Sequence, residues 1–210
     1  MIQIKHRESG DILFEMDADC LQGQKLIGKN LKGADLSNRV LRNCVFDSDN
    51  LNGCNFSGSD LEGASFMGAS AQDCDFSGAN LQKANFTDSI LFRSNFAGSN
   101  MTNAVLRYGK LENCNLSSAR LVEADLSMCD LRCNLASANL TRADLRGATL
   151  TGANLSNAKI DDADFTDADM HDADMTGTLI ERAKNACAKH KKFTPIPRPK
   201  AKRPWWKVWA

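Results

Sequence analysis

The sequence predicts an all-β solenoid, a chain wound into a square coil of short extended steps, on three observations. A large apolar residue recurs at every fifth position: the stretch ANLTRADLRGATLTGANL, residues 138–155, sets Leu140, Leu145, Leu150 and Leu155 on that beat. A small residue stands two places before each such centre, as at Ala34, Cys54, Ala79, Ser99, Ala124 and Ala153. The place between them is mostly Asp or Asn. A helix buries with a period near 3.6 and a strand with a period of about 2, so neither alone yields a beat of five.

Residues 1–20 read as an N-terminal cap. IQIKHRESGDILFE alternates apolar and polar residues on both sides of Ser9, Gly10 and Asp11, the pattern of a β-hairpin. A stack of coils leaves unpaired strand groups at each end, and a hairpin over the first coil would shield one of them.

Residues 21–180 carry the repeat. Centres run every five from Leu21 to Leu131, which makes 23, and resume at Leu135 for ten more ending at Ile180. A small and a large residue two apart point the same way on an extended segment, and the polar residue between them points to water. Each five is therefore one inward-facing step plus a corner. Four right-angled corners close a square, so twenty residues make one coil and coils stack at about 4.8 Å. Gly at Gly53, Gly58, Gly63, Gly68, Gly78, Gly98, Gly147 and Gly152 suits corners that need positive φ, whereas corners built on Asn, Asp, Ser or Lys are expected to be looser. One residue is missing from the frame within DLRCNL, 130–135, which predicts a tightened corner there. In the twenty-residue register, Phe46, Phe66 and Phe86 share one side of the square and Phe56, Phe76 and Phe96 the opposite side. Ala71, an alanine at a centre, predicts a void or a pinched coil.

This layout resembles the pentapeptide repeat family, whose motif is roughly A-[DN]-[LF]-x-x, over about residues 21–180. The resemblance implies a right-handed quadrilateral β-helix; spacing alone carries no handedness. It also implies members that imitate duplex DNA in shape and charge, regulate topoisomerases such as gyrase and dimerise through a C-terminal helix.

Residues 181–192 are expected to form a short capping helix, because Leu179, Ile180, Ala183, Ala186 and Cys187 fall at helical spacing. It is a candidate for a homodimer contact. Residues 193–210, FTPIPRPKAKRPWWKVWA, are rich in Pro, Lys and Arg and read as a disordered tail. The net charge is zero, with 26 basic and 26 acidic residues, but residues 181–210 hold ten of the basic residues and one acid, Glu181. The body is thus negative and the tail positive.

The residues that could carry chemistry have plain structural readings. Six of the eight cysteines (Cys44, Cys54, Cys74, Cys114, Cys129, Cys133) occupy the small inward place and read as slightly enlarged alanines in a reducing compartment. No Cys pair has zinc spacing, and His6, His171 and His190 lie far apart, so no metal, cofactor or catalytic residue is expected. An outward Asx column, Asp35, Asn55, Asp75, Asn95, Asn115, Asn134, Asn154 and Asp174, reads as amides laddering along the coil, with a binding stripe as the alternative. Asp125, Asp144 and Asp164 stack in another column, and residues 161–174 hold seven Asp.

Two surfaces are candidates for partners. Outward Ile90 and Phe92 flank inward Leu91, the sharpest case among outward apolar residues that include Val40, Val45, Met67, Val105 and Val122. The tail carries Trp205, Trp206 and Trp209 beside Arg203 and Lys207, a composition that fits an anionic membrane surface, a protein partner including its own acidic body, or nucleic acid. Direct nucleic-acid binding by the negative body is not expected. The opening residues lack the apolar run of a signal peptide and no 18 apolar residues run together, so the chain is expected in the cytoplasm, with the tail able to reach the inner face of the membrane. Together these features predict a non-enzymatic interaction scaffold with an unidentified protein partner. A DNA mimic acting on a type II topoisomerase is the alternative.

Overall fold

The computed structural model describes residues 1–186. From Lys25 to Asp164, with Asn30 and Lys159 excepted, the outward residue before a centre pairs in parallel with the residue one coil later: Lys25 with Val45, Val45 with Ser65, Asp60 with Asn80. Each rung is held in both directions. The N–H of a centre donates to the coil ahead (Leu26 to the Val45 carbonyl, 2.9 Å), and the N–H before a centre donates to the coil behind (Val45 to the Gln24 carbonyl, 3.0 Å). The extended steps are too short to make long strands; the regularity lies between coils.

Corners follow from the same bonds. At most corners the N–H of the small inward residue donates to the centre three places back, as Ala34 does to the Leu31 carbonyl at 2.9 Å. The residue just before that donor then takes positive φ, the pattern of a type II turn. Gly supplies this at Gly58 (φ 63°) and Gly78 (φ 63°). Non-glycine corners adopt the same conformation, with Lys83 at 57°, Arg93 at 58° and Glu123 at 58°. They are not looser, because hydrogen bonds from coils on both sides fix the backbone whatever the side chain prefers.

The interior is filled. Every centre from Leu26 to Leu155 keeps at most 1% of its surface. Phe46, Phe66 and Phe86 stack with ring centroids 4.9 and 4.6 Å apart, and Phe56, Phe76 and Phe96 stack at 4.8 Å each. The two columns meet edge to face at 5.7 to 5.9 Å, the arrangement that ring quadrupoles favour. At Ala71 the rungs run on unbroken, with its N–H on the Ile90 carbonyl at 2.8 Å.

The missing residue produces the tightened corner. The Cys133 N–H donates to the Leu131 carbonyl at 2.7 Å, a three-residue turn in place of four, and the pairing offset drops to nineteen from Asn115 with Asn134 to Asp130 with Thr149 before returning to twenty.

At the N-terminus β1 (Ile2–His6) and β2 (Ile12–Met16) form an antiparallel hairpin, and β1 also pairs antiparallel with β3 (Ala34–Asp35). The cap is stitched onto one wall of the first coil, with Ile4 fully buried and Arg39 donating to the Gln3 carbonyl at 3.0 Å. At the other end Ile180–Arg182 form one 3-10 turn, after which Lys184 pairs with Asp164 as a further rung. Over its described residues, 181–186, the expected helix is instead the end of this 3-10 turn and the Lys184 rung; the rest of it lies outside the described residues, as do the tail and its Trp205, Trp206, Trp209, Arg203 and Lys207.

Candidate interaction surface

A filled prism offers ligands its outside, and the outside is a lattice of columns repeating every twenty residues. Ile90 and Phe92 sit where the sequence puts them, on either side of buried Leu91, but both are half-buried. Ile90 lies between Ser70 and Lys110 in its column. The pair is flatter than an exposed patch because the neighbouring rungs stand at the same height.

The structure brings out a corner that the sequence reading missed. Tyr108 (44% exposed) and Met128 (53% exposed) occupy successive rungs of one corner at φ 61° and 59°. A bulky residue in the left-handed region costs about 1–2 kcal/mol. Gly147 follows in the same column, and the Met128 thioether lies over it, where a Cβ would stand. The Arg107 guanidinium sits over the Tyr108 ring at 5.1 Å and its Nη2 donates to the hydroxyl at 3.3 Å. Gly109 fills the small inward place because a Cβ there would come within 2.7 Å of the Leu106 carbonyl oxygen. Two strained, exposed, apolar residues on adjacent rungs gain no core packing, which is where a binding role is to be sought. The sequence signal was present: both stand two past a centre, twenty apart, and Tyr108 is the chain's only tyrosine.

The Asx columns do structural work. Nδ2 of Asn95, Asn115 and Asn134 each donates to the side chain one coil behind (Asp75, Asn95 and Asn115) at 3.2 Å. The same side chains accept the N–H two residues ahead, as Asn115 does from Ser117 at 3.2 Å, which pins the corner. Charged columns are partly neutralised on the surface: Arg93 pairs with Asp73, Arg132 with Asp130 and Glu112, and Arg146 with Asp144. Hydrogen bonds from these guanidiniums hold Asp73, Asp130 and Asp144 below the usual carboxylate range. Hydroxyl and amide hydrogen bonds from Thr166 do the same for Asp164.

The inward cysteines have a role beyond filling space. Cys44, Cys54, Cys74, Cys114 and Cys129 each donate Sγ–H to the centre carbonyl 23 residues back, at 2.8 to 3.0 Å, and Ser94 does so to Ala71 at 2.7 Å. The five carbonyls under thiols already accept the corner N–H, so each thiol satisfies a second lone pair; at Ala71 the Cys74 N–H donates instead to the Ser94 hydroxyl at 3.0 Å. Burial pushes the Cys44 thiol up to about 11 and those of Cys114 and Cys129 to about 12, so these sulfurs stay protonated and unreactive. All cysteines among the described residues are free thiols. Among those residues, too, no group of three His, Cys, Asp or Glu could hold a metal ion. His171 is exposed, with Nε2 3.2 Å from Asp172.

The family of pentapeptide repeats matches the chain in 8 copies, over residues 30–68, 50–88, 72–107, 99–132, 132–167 and 161–182. The chain belongs to the pentapeptide repeat family. Its square coil is therefore the family's right-handed quadrilateral β-helix. Members are generally structural or interaction proteins. No curated protein matches this pentapeptide repeat protein significantly. Solved structures do. HetL, a pentapeptide repeat protein involved in heterocyst differentiation regulation from Nostoc sp. strain PCC 7120, is 26% identical, with 78% of this chain and 87% of HetL covered and a TM-score of 0.37. QnrB1, a plasmid-mediated fluoroquinolone resistance protein, is 24% identical over 74% and 86%, with a TM-score of 0.42. A pentapeptide repeat protein of the Arabidopsis thaliana thylakoid lumen is 38% identical over 45% and 63%, with a TM-score of 0.28. Among the described residues no helix is long and apolar enough to cross a membrane.

Proposed function

We propose that this pentapeptide repeat protein is a non-enzymatic interaction scaffold, a prism of about eight coils and about 40 Å length by rung spacing, which presents its outer columns to a protein partner. What carries this reading is the Tyr108 and Met128 corner, two exposed apolar side chains held in strained backbone on adjacent rungs of a rigid wall. Ile90 on the next wall, one rung below Lys110, extends it. The basic Trp-bearing tail adds a second attachment, to a membrane surface or another partner. The test is capture from lysate with the full chain and with Tyr108→Ser/Met128→Ser, against Met67→Ser as an exposed control. A protein lost with the corner pair and kept with the control supports the reading; captured proteins indifferent to both refute it. Co-sedimentation with anionic liposomes, with and without residues 193–210, tests the tail.

A second reading, a DNA mimic acting on a type II topoisomerase, is favoured by charge. Eight of the 26 basic residues and none of the 26 acidic ones lie in 187–210, so residues 1–186 carry −8. The basic tail opposes it. Gyrase supercoiling that is unchanged by micromolar protein, with or without the tail, would retire it.

A further inference from the structure

The N-terminal hairpin and the coil leave a cleft of about 510 Å³ between them. Its floor is one corner column, with Gly33 and Gly53 on successive rungs and Asp73 at the far end. The same column carries Arg93 and Asn113 further on, at φ 58° and 60°, so the corner itself accepts side chains. At Gly33 a Cβ would meet the His6 ring, whereas at Gly53 it would meet nothing nearer than the Gly33 Cα at 4.0 Å. The space over Gly53 is open, and the absence of a side chain there keeps it so.

Donors line this space. The Arg7 backbone N–H donates to the Gly33 carbonyl at 2.8 Å and its Nη1 to the Gly53 carbonyl at 2.9 Å, which straps the residue across two rungs and leaves Nη2 unbonded among the described residues. His6 Nδ1 accepts the Glu8 and Ser9 N–H groups at 3.3 Å each, so Nε2 is the ring's donor. On the coil side, Asn52 Oδ1 is taken by the Gln72 N–H at 2.9 Å and the Ser70 hydroxyl at 2.8 Å, which leaves Nδ2 to donate. The Lys32 ammonium, also on the cleft wall, makes no hydrogen bond or ion pair among the described residues. The two carboxylates at the cleft are already engaged. Both Asp73 oxygens sit on Arg93 at 2.7 Å, and exposed Glu8 lies 3.9 Å from Arg7 Nε.

We propose that this cleft binds a phosphate group, free or borne by a small organic phosphate. His6 and Arg7 of the hairpin stand over successive rungs, and Lys32 and Asn52 of the coil occupy the same two rungs, about 4.8 Å apart. Donors from two elements and two levels suit the several acceptor directions of a tetrahedral oxyanion better than the single plane of a carboxylate. The volume is that of a small-molecule site, so an organic remainder fits beside the phosphate. The inference does not rest on the scaffold reading, because Tyr108 and Met128 belong to a different corner column.

The test is titration of the isotope-labelled full chain with inorganic phosphate, with glycerol 3-phosphate and with sodium chloride at matched ionic strength, followed by amide chemical shifts. Saturable shifts at Arg7, Gly33 and Gly53, with a millimolar or tighter Kd, are expected from a phosphate and not from chloride; the tighter of the two phosphates names the source. Lys32→Gln removes a charge that bonds nothing in the fold. Gly53→Asn puts a side chain into the open space at a corner conformation that Asn43 already adopts at φ 56°. Each should weaken binding several-fold with far-UV circular dichroism unchanged, while Arg120→Gln, whose guanidinium bonds Thr102 away from the cleft, should leave affinity as it is. No saturable shift with either phosphate, shifts that chloride reproduces, or affinity indifferent to either Lys32→Gln or Gly53→Asn overturns the proposal.

Discussion

Replacing Phe66 by alanine removes the ring on which both aromatic columns lean. Phe66 is fully buried, stacked 4.9 Å from Phe46 and 4.6 Å from Phe86, and edge to face with Phe56 and Phe76 at 5.7 Å each. Truncating a buried phenylalanine costs about 3–5 kcal/mol through lost transfer and the cavity left behind. Four ring contacts, each about 0.5–1.5 kcal/mol beyond burial, push Phe66→Ala to the upper end. Phe66→Leu keeps the shape that Leu106 and Leu126 give the same column further on and should cost only about 1–2 kcal/mol. Phe92→Ala, at a half-buried outward place, should cost under about 1 kcal/mol. Equilibrium urea unfolding followed by far-UV circular dichroism measures all three, and an unchanged m-value confirms that the whole stack still unfolds as one unit. A Phe66→Ala cost within about 1 kcal/mol of that for Phe92→Ala would refute the reasoning, because it would mean the columns are not packed as described.

Corners give a second test: Lys83→Gly, at φ 57°, should stabilise the protein by up to about 1 kcal/mol, whereas Gly33→Ala, at φ 70° with the His6 ring against it, should destabilise it. A loss of stability in Lys83→Gly would contradict a shared left-handed corner. Thiol reagents at about pH 8 should label exposed Cys20 in the folded protein and reach Cys44, Cys114 and Cys129 only on unfolding. Because burial raises those three thiols above their ordinary 9.0, the folded state holds protons that the unfolded state releases; stability is complete below pH 9.0 and falls as pH rises towards 11 and 12. The slope is up to about 1.4 kcal/mol per pH unit for each buried thiol, read from urea midpoints across that range. Asp130 and Asp144 act in the opposite sense. Their arginine partners depress them below 3.8, so their contribution is complete above that pH and is lost as pH falls below it; Arg146→Gln should flatten the acid limb of the stability curve.

Much of this fold was legible because the repeat leaves its geometry little freedom. A beat of five with a small residue two before each large one fixes coil, register and Phe columns, and one missing residue between Asp130 and Leu135 marks the tightened corner. The corners at Lys83, Arg93 and Glu123 were misjudged because single-residue preference was weighed without the bonds from neighbouring coils. The thiol hydrogen bonds were not visible in a reading that treated Cys as a larger Ala, although Cys and Ser share the one place from which a donor reaches the corner carbonyl. Pairing of the hairpin with Ala34–Asp35 could not be read, since nothing local sets which wall an antiparallel strand joins. Arg182 and Lys184, which fold over the acidic coil, belonged to an expected helix and so were not placed there.

Nuclear Overhauser contacts between assigned phenylalanine ring protons test the stacked square coil most directly. Phe66 should show cross-peaks to Phe46 and Phe86 along its own column and to Phe56 and Phe76 across it, with Phe76 likewise bridging Phe56 and Phe96. Rings that contact sequence neighbours but not residues twenty apart would contradict it.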